Sequence, residues 1–374
     1  MDEKISKTMN GATIARISEQ WAADFAADIG QQVNEPEPIE GKPELTFDIG
    51  TNSLTNLLFD IFALGAGVNR LQELKNRINH GKATYSSIIT NKDNPYSVTI
   101  CYRSANATWN VNIPDTTKLN GNNKNVKKIF VFMLKLIARN TYNGELASNQ
   151  ISFPLHQLVE YGAYSNVRTA RKGFDSAMDA LTDLKISGTL KHGKTVINYV
   201  GAQPFGISRI INGQCIIKLF DGKEFNWIAL TEFFTILPSY YFQLTNRAAD
   251  LLVLIFCQAR QNKHKIAKGQ PFVISNRYIQ QRLGLPDECG NDKPYQTIVK
   301  PIQEAVNLIE DMNGEYFCSG NAGGLQLLEV GYDGRITDVL DNGYLQVTLK
   351  GDLAEPFRHI DKLSKRKHKP KNNA

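Results

Sequence analysis

The stretch Gly188–Thr195, GTLKHGKT, fits the pattern G-x-x-x-x-G-K-[ST] at every position. In nucleotide hydrolases that pattern wraps phosphates in backbone N–H groups, sends its lysine to the terminal phosphates and holds magnesium with its last hydroxyl. The chemistry needs a strand before the loop and a helix after it, because the helix N-terminus completes the anion site. Here a helical pattern ends just before Lys185, and KISGTL and TVINYV on either side both have β character. The sequence has no hydrophobic strand-like run ending in an aspartate that would hold magnesium. Chance alone produces such a match in roughly one or two chains per hundred of this length. GTLKHGKT therefore reads as a β-hairpin with Gly193 in its turn, and a nucleotide hydrolase is the disfavoured function.

Other catalytic constellations are equally poorly represented. The six histidines (80, 156, 192, 264, 359, 368) make no HxH or HExxH pair, which removes the metal site of rolling-circle nicking enzymes and of zinc hydrolases. There is no G-x-S-x-G elbow. The 14 tyrosines have no recombinase-like set of Arg and His around them. The expectation is a protein that is not an enzyme and uses no cofactor and no metal. Five scattered cysteines without a C-x-x-C pair fit a reducing cytoplasm. No apolar run is long enough for a membrane span, and the charged start lacks a signal-peptide core, so a cytoplasmic location is expected.

The cations are more informative. The net charge is only +6, yet residues 117–200 carry 12 basic and 5 acidic groups, net +7, while residues 1–60 carry 4 and 11, net −7. A local basic block points to a polyanionic partner. Within it, Arg168, Arg171, Lys172 and Asp175 fall at i, i+3, i+4, i+7 along an amphipathic pattern, opposite the apolar stripe Val167, Ala170, Phe174, Ala177, Leu181 and Leu184. Arg grips guanine bidentately and Asn does the same for adenine, so Arg168, Arg171, Lys172 and the neighbouring Asn166 and Thr169 are suitable groups for reading DNA. Ser165 is the expected N-cap of that helix. Lys191, His192 and Lys194 would extend the contact from the hairpin tip.

The elements that carry these residues occur twice. NVKKIFVFMLKLIAR (Asn125–Arg139) aligns without gaps to NRAADLLVLIFCQAR (Asn246–Arg260), an offset of 121. ISFPLHQLVEYG ends at Gly162 and VISNRYIQQRLG at Gly284, an offset of 122. Each is followed by a long amphipathic helix, the second with Ile298, Ile302, Ala305 and Ile309 on its stripe and LPDECGNDK inserted before it. This order and spacing read as a duplicated unit. In unit one Pro154–Glu160 reads as the short helix. In unit two Ser275 reads as the cap, Arg277–Leu283 as the short helix and Pro294 as the opening of the long one, within which Pro301 demands a kink or a late start. The matching face of unit two is Tyr295, Gln296, Lys300 and Gln303, with Arg277, Arg282 and Lys293 as phosphate candidates.

Helix, helix-turn-helix and hairpin in that order spell a winged helix. The fold expected is α+β: tandem winged-helix (helix-turn-helix) domains preceded by a small α/β region. Residues 1–45 read as an acidic helix (Ile14, Ile17, Trp21, Phe25, Ile29) and linker, 46–116 as mixed α/β, 117–225 and 226–355 as the two winged helices, and 356–374 as a basic disordered tail.

Over residues 117–350 the chain resembles the plasmid replication initiators built from two tandem winged helices. The likeness rests on the duplicated units, on SNVRTARKGF and on the hairpin after it. It implies binding of short direct repeats at an origin through adjacent major grooves and opening of AT-rich DNA nearby. It also implies recruitment of the host replicative helicase, homodimers that repress their own gene, and no ATPase. A transcriptional repressor or a centromere-binding segregation protein would share the same features. Double-stranded DNA is the expected partner in either case, with no membrane.

Overall fold

The computed structural model describes residues 46–62, 85–219, 233–286, 295–317, 325–329 and 340–357, apart from short breaks at 52, 104–106, 120–122, 140, 143–144, 147–149, 193–194, 341–342 and 356. All of them lie within one unit, Pro43–Ala374. The helix expected at residues 14–29, the linker after it and residues 358–374 of the basic tail lie outside the described residues.

The chain begins with β1 (Thr46–Thr51), α1 (Ser53–Phe62), β2 (Tyr85–Thr90), β3 (Val98–Arg103) and β4 (Ala107–Ile113). Next come α2 (Asn123–Arg139), the short β5 (Thr141–Tyr142) and β6 (Glu145–Leu146), β7 (Gln150–Pro154), α3 (Gln157–Glu160) and α4 (Val167–Thr182). Four strands follow: β8 (Lys185–His192), β9 (Thr195–Ala202), β10 (Phe205–Ile211) and β11 (Gln214–Leu219). The last part holds β12 (Phe233–Pro238), α5 (Asn246–Gln261), α6 (Lys263–Ala267), β13 (Phe272–Ser275), α7 (Asn276–Arg282), α8 (Lys300–Phe317), β14 (Leu325–Glu329) and β15 (Tyr344–Leu349). The protein is mixed α+β, as expected.

The two copies of the repeat fold alike. In the first, α2, β7, α3 and α4 are followed by a three-stranded antiparallel sheet in the order β10-β11-β7. In the second, α5, β13, α7 and α8 are followed by β13-β15-β14. In each, the strand before the short helix pairs with the last strand of the unit, which places that strand at the centre. α2 buries Val126, Ile129, Phe130, Met133 and Ile137, and α5 buries Ala248, Leu251, Leu252, Ile255 and Phe256. Both helices are apolar over more than one face, as befits the centre of a core.

The turn between the short and long helix is reproduced bond for bond. Gly162 and Gly284 have φ of 73° and 65°, a conformation only glycine adopts without strain. Gly162 N–H donates to Val159 C=O at 2.9 Å and Ala163 N–H to Leu158 C=O at 3.0 Å. Gly284 N–H donates to Gln281 C=O at 2.9 Å and Leu285 N–H to Gln280 C=O at 3.0 Å. These bonds satisfy carbonyls that the helix ends would otherwise leave open.

The strands differ from expectation in one respect. The hairpin β8–β9, which contains GTLKHGKT, does not close on β7. It extends the N-terminal strands into a five-stranded antiparallel sheet, β2-β3-β4-β8-β9. The reason is at Gly188, which lies opposite Trp109 in the β4–β8 ladder. A Cβ there would come within 2.0 Å of Thr108 O and 2.9 Å of the Trp109 ring, so only glycine allows β4 and the buried Trp109 this close. The hairpin that does close on β7 is β10–β11. Its turn, Asn212-Gly213, has φ of 48° and 81°, the pair of positive angles a two-residue turn between twisted strands requires. The division expected at residue 116 is therefore bridged by a continuous sheet. β1 likewise pairs antiparallel with β12, far along the chain.

Candidate nucleic-acid interface

α4 projects the cationic strip. Its apolar side buries Ala170, Phe174, Ala177, Met178 and Leu181. Arg168, Arg171, Lys172 and Asp175 are all exposed on the opposite side. The N-cap is Asn166, one residue later than the expected Ser165. Asn166 Oδ1 accepts from Thr169 N–H at 2.9 Å, and Thr169 Oγ1 accepts from Asn166 N–H at 3.3 Å and donates to Asn166 C=O at 2.8 Å. This reciprocal box ties down two of the groups expected to read bases. Ser165, also exposed, accepts from Asn166 Nδ2 at 3.3 Å.

The turn is wedged against α4 by Tyr164. A Cβ at Gly173 would lie 2.3 Å from the Tyr164 hydroxyl, so the helix carries glycine where the tyrosine lies on it. Burial pushes the Tyr164 phenol well above the usual tyrosine range. At the other end of α4, Lys118 reaches Asp179 at 3.1 Å and also pairs with Asp183. Its hydrogen bond to Asp183 holds the ammonium above the ordinary lysine value. Lys118 thereby offsets one of the two carboxylate charges at this end of α4, while the start of the helix keeps an open cationic face.

Lys191 is exposed near the end of β8, and His192 is the last residue of that strand. Lys194 lies outside the described residues. Because β8–β9 belongs to the five-stranded sheet, these positions are not on the hairpin next to α3 and α4. That place is taken by Asn212-Gly213. Leu155 N–H, between β7 and α3, donates to Gly213 C=O at 2.8 Å. Arg209 on β10 is exposed and Lys218 lies on β11 of this hairpin, and the Asn-Gly pair was the signal by which the turn was legible.

The second unit presents a different face. Pro301 sits at the second position of α8, where it has no N–H to donate. The preceding turn, Tyr295–Val299, is a π-helix, and the wider turn accommodates the proline. Tyr295, Gln296 and Lys300 are exposed, Lys300 3.8 Å from Glu304, and Gln303 Nε2 donates to Asn307 Oδ1 at 2.8 Å. Ser275 caps α7, accepting from Tyr278 N–H at 3.3 Å, as expected. Arg277 donates to Gln280 Oε1 at 3.1 Å. Arg282 is turned inward, 3.0 Å from Asp60 of α1, and so is a structural cation rather than a phosphate contact. Lys293 lies outside the described residues.

Among the described residues no group of three or more His, Cys, Asp or Glu is placed to hold a metal ion. The GTLKHGKT residues that are described lie on two antiparallel strands rather than on a strand-loop-helix, so the phosphate-cradle geometry is not built. No helix among the described residues is long and apolar enough to cross a membrane.

No family model and no curated protein matches the chain. Among solved structures it is similar to the Pi initiator protein in complex with iteron DNA, at 14% identity and a TM-score of 0.38, over 61% of this chain and 91% of that one. It is also similar to domains 2–3 of RctB, at 9% identity and a TM-score of 0.38, over 76% of this chain and 99% of that one. One neighbour is thus an initiator bound to its DNA.

Proposed function

We propose that this chain is a sequence-specific double-stranded DNA-binding protein, built from two winged helices, that initiates replication at an origin carrying direct repeats. The observation that carries the DNA-binding part is the strip Arg168, Arg171 and Lys172, exposed on the long helix behind a glycine-set turn. The winged-helix reading is supported by the shared order of elements and by a central strand that pairs with the strand before each short helix. α4 would enter a major groove with its first turns at the base edges and α8 the next groove, about 10 bp along, for a site near ~20 bp. Phosphate contacts would set the register and base contacts the specificity. The initiator role follows the sequence resemblance, with melting left to contacts on DNA and to a recruited helicase, without ATP hydrolysis by this chain.

The test is selection of a duplex target from random sequence, followed by binding of Arg168→Ala and Arg171→Ala. Each should lose roughly 1–3 kcal/mol on the selected site and relax its base preference. Unchanged binding by both removes α4 as the reading helix. Tandem repeats in the selected or native target, beside an AT-rich tract that opens on binding, support initiation; a single palindrome favours a repressor.

A further inference from the structure

The five-stranded sheet has one buried face, occupied by Val98, Ile100, Trp109, Val111, Ile186 and Leu190. None of its 35 strand residues is Asp or Glu. The other face carries amides, hydroxyls and cations in register, with Ile89, Val196 and Val200 exposed among them. Thr99 lies opposite Asn112, and Asn112 opposite Lys185, with Asn112 Nδ2 donating to Thr99 Oγ1 at 3.0 Å. Arg103 lies opposite Thr108, and Thr108 shares a 2.7 Å hydrogen bond with Thr189. Arg103, Lys185 and Lys191 are all exposed.

A solvated sheet face of ordinary composition mixes both signs of charge. Strand propensity disfavours Asp, and Glu less strongly, but it does not select cations spread over a ladder of donors. Lys185 and Lys191 are six residues apart on β8, about 20 Å at the rise of a strand. Arg103 stands two strands away from β8, about 10 Å to the side. A span of about 20 Å matches roughly six base pairs of duplex, and Ser, Thr, Asn, Arg and Lys are the side chains that hold phosphate oxygens.

We propose that this face is a second contact surface for the phosphate backbone of duplex DNA, engaging the stretch beside the site gripped by the helix-turn-helix units. Arg103, Lys185 and Lys191 supply the charge, and the Thr and Asn ladder supplies neutral donors. The inference rests on the duplex-binding reading above. It gives the GTLKHGKT hairpin a phosphate to hold, on DNA rather than on a nucleotide, and with side chains rather than a glycine loop. Each phosphate neutralised steepens the fall of log K with log salt by about 0.9.

The experiment compares the full chain with the triple variant Arg103→Gln, Lys185→Gln, Lys191→Gln on random-sequence duplexes of about 20 and about 60 bp, lengths set by one expected site and by that site with flanks. Salt slopes are read because they do not depend on how many registers a longer duplex offers. For the unaltered protein the slope should be larger by about two to three on the long duplex. In the triple variant the slopes should be equal, with short-duplex binding and the thermal midpoint unchanged. Arg168→Ala with Arg171→Ala should instead weaken both duplexes. A triple variant that keeps the larger slope on the long duplex, or loses equally on both lengths, overturns the proposal while leaving duplex binding intact. Failure of the unaltered protein to bind either duplex overturns the underlying reading as well.

Discussion

Lys127 of α2 and Asp250 of α5 form an ion pair with only 4% and 8% of their side chains exposed. These helices are the equivalent first helices of the two units, so the pair joins the repeat to its copy through the core. Aromatic contacts surround the same junction. Tyr161, the residue before the turn glycine of unit one, lies 5.6 Å from Phe242, just ahead of α5, and 5.7 Å from Phe132 of α2. Lys135, 1% exposed, places its ammonium 3.8 Å from the Tyr161 ring centroid and 5.4 Å from that of Phe47 on β1. The turn between α3 and α4 is therefore packed on the entry to unit two.

Breaking the buried pair from one side leaves a carboxylate in a low-dielectric core. Lys127→Ala should cost roughly 3–5 kcal/mol, because the partner charge stays behind. Lys127→Met with Asp250→Leu should recover most of that loss. Urea unfolding of the single and double variants measures both, and additive losses in the double would show that the two side chains are not coupled.

The turn glycines give a matched comparison between the copies. Gly162→Ala and Gly284→Ala should each cost about 1 kcal/mol for the positive φ alone. Gly162→Ala should cost more, because its Cβ would also lie 2.5 Å from Gln243 Cγ, at the junction between the units. Equal melting losses at the two positions would argue against that contact.

These glycines also show what was legible in the sequence. Gly162 and Gly284 end two similar runs at one spacing, and a turn needing positive φ is a local property, so both turns could be read directly. The β4–β8 pairing could not be, since nothing local to Lys185–His192 says which strand it will meet. Alternation looks the same in a hairpin that closes on β7 and in one that extends another sheet. Asn212-Gly213 was the better local signal for the hairpin that closes on β7 beside α3. The cap fell one residue from its expected place because Ser165 and Asn166 both favour it. Lys127 and Lys135 counted toward the basic block of residues 117–200, and their burial could not be read locally because the carboxylate and most of the rings that receive them lie on distant segments.

Gly188 tests the structural role of the nucleotide-like motif. Gly188→Ala should destabilise by about 1–3 kcal/mol, as overpacking does, because Thr108 O cannot move without breaking the β4–β8 ladder. Calorimetry with ATP should give no saturable binding in either protein. A stable Gly188→Ala variant, or nucleotide binding lost in Lys194→Ala, would reverse the reading of GTLKHGKT.

Cys215 of β11 is buried close to α4, and burial, with the Asp175 carboxylate adding to it, pushes its thiol up to about 12 from an ordinary 9. Above pH 9 the unfolded thiol loses its proton while the folded one keeps it. Stability is then fully present below pH 9 and falls as pH rises toward 12. The unfolding midpoint should drop across that window, and less steeply in Cys215→Ala. Alkylation mapped by peptide mass spectrometry should label Cys215 only as the protein unfolds, and rapid labelling in the folded state would contradict its burial.

On the proposed duplex-binding function, α4 and α8 should differ in how much salt dependence they carry. α4 exposes three cations, Arg168, Arg171 and Lys172, with Asp175 and then Asp179 following on the same face. On α8 the exposed Lys300 lies 3.8 Å from Glu304, so its charge is partly cancelled before any phosphate arrives. A lysine that holds a phosphate contributes about 0.9 to the salt slope, so Lys172→Ala should lower the slope by nearly that amount on any duplex. Lys300→Ala should lower it by clearly less, and Glu304→Gln should raise it. Titrations from about 50 to 200 mM salt cover the range where such slopes are read. Equal slope losses for the lysine variants would mean that α8 grips the backbone as firmly as α4, and the asymmetry between the two copies would have to lie in base reading instead.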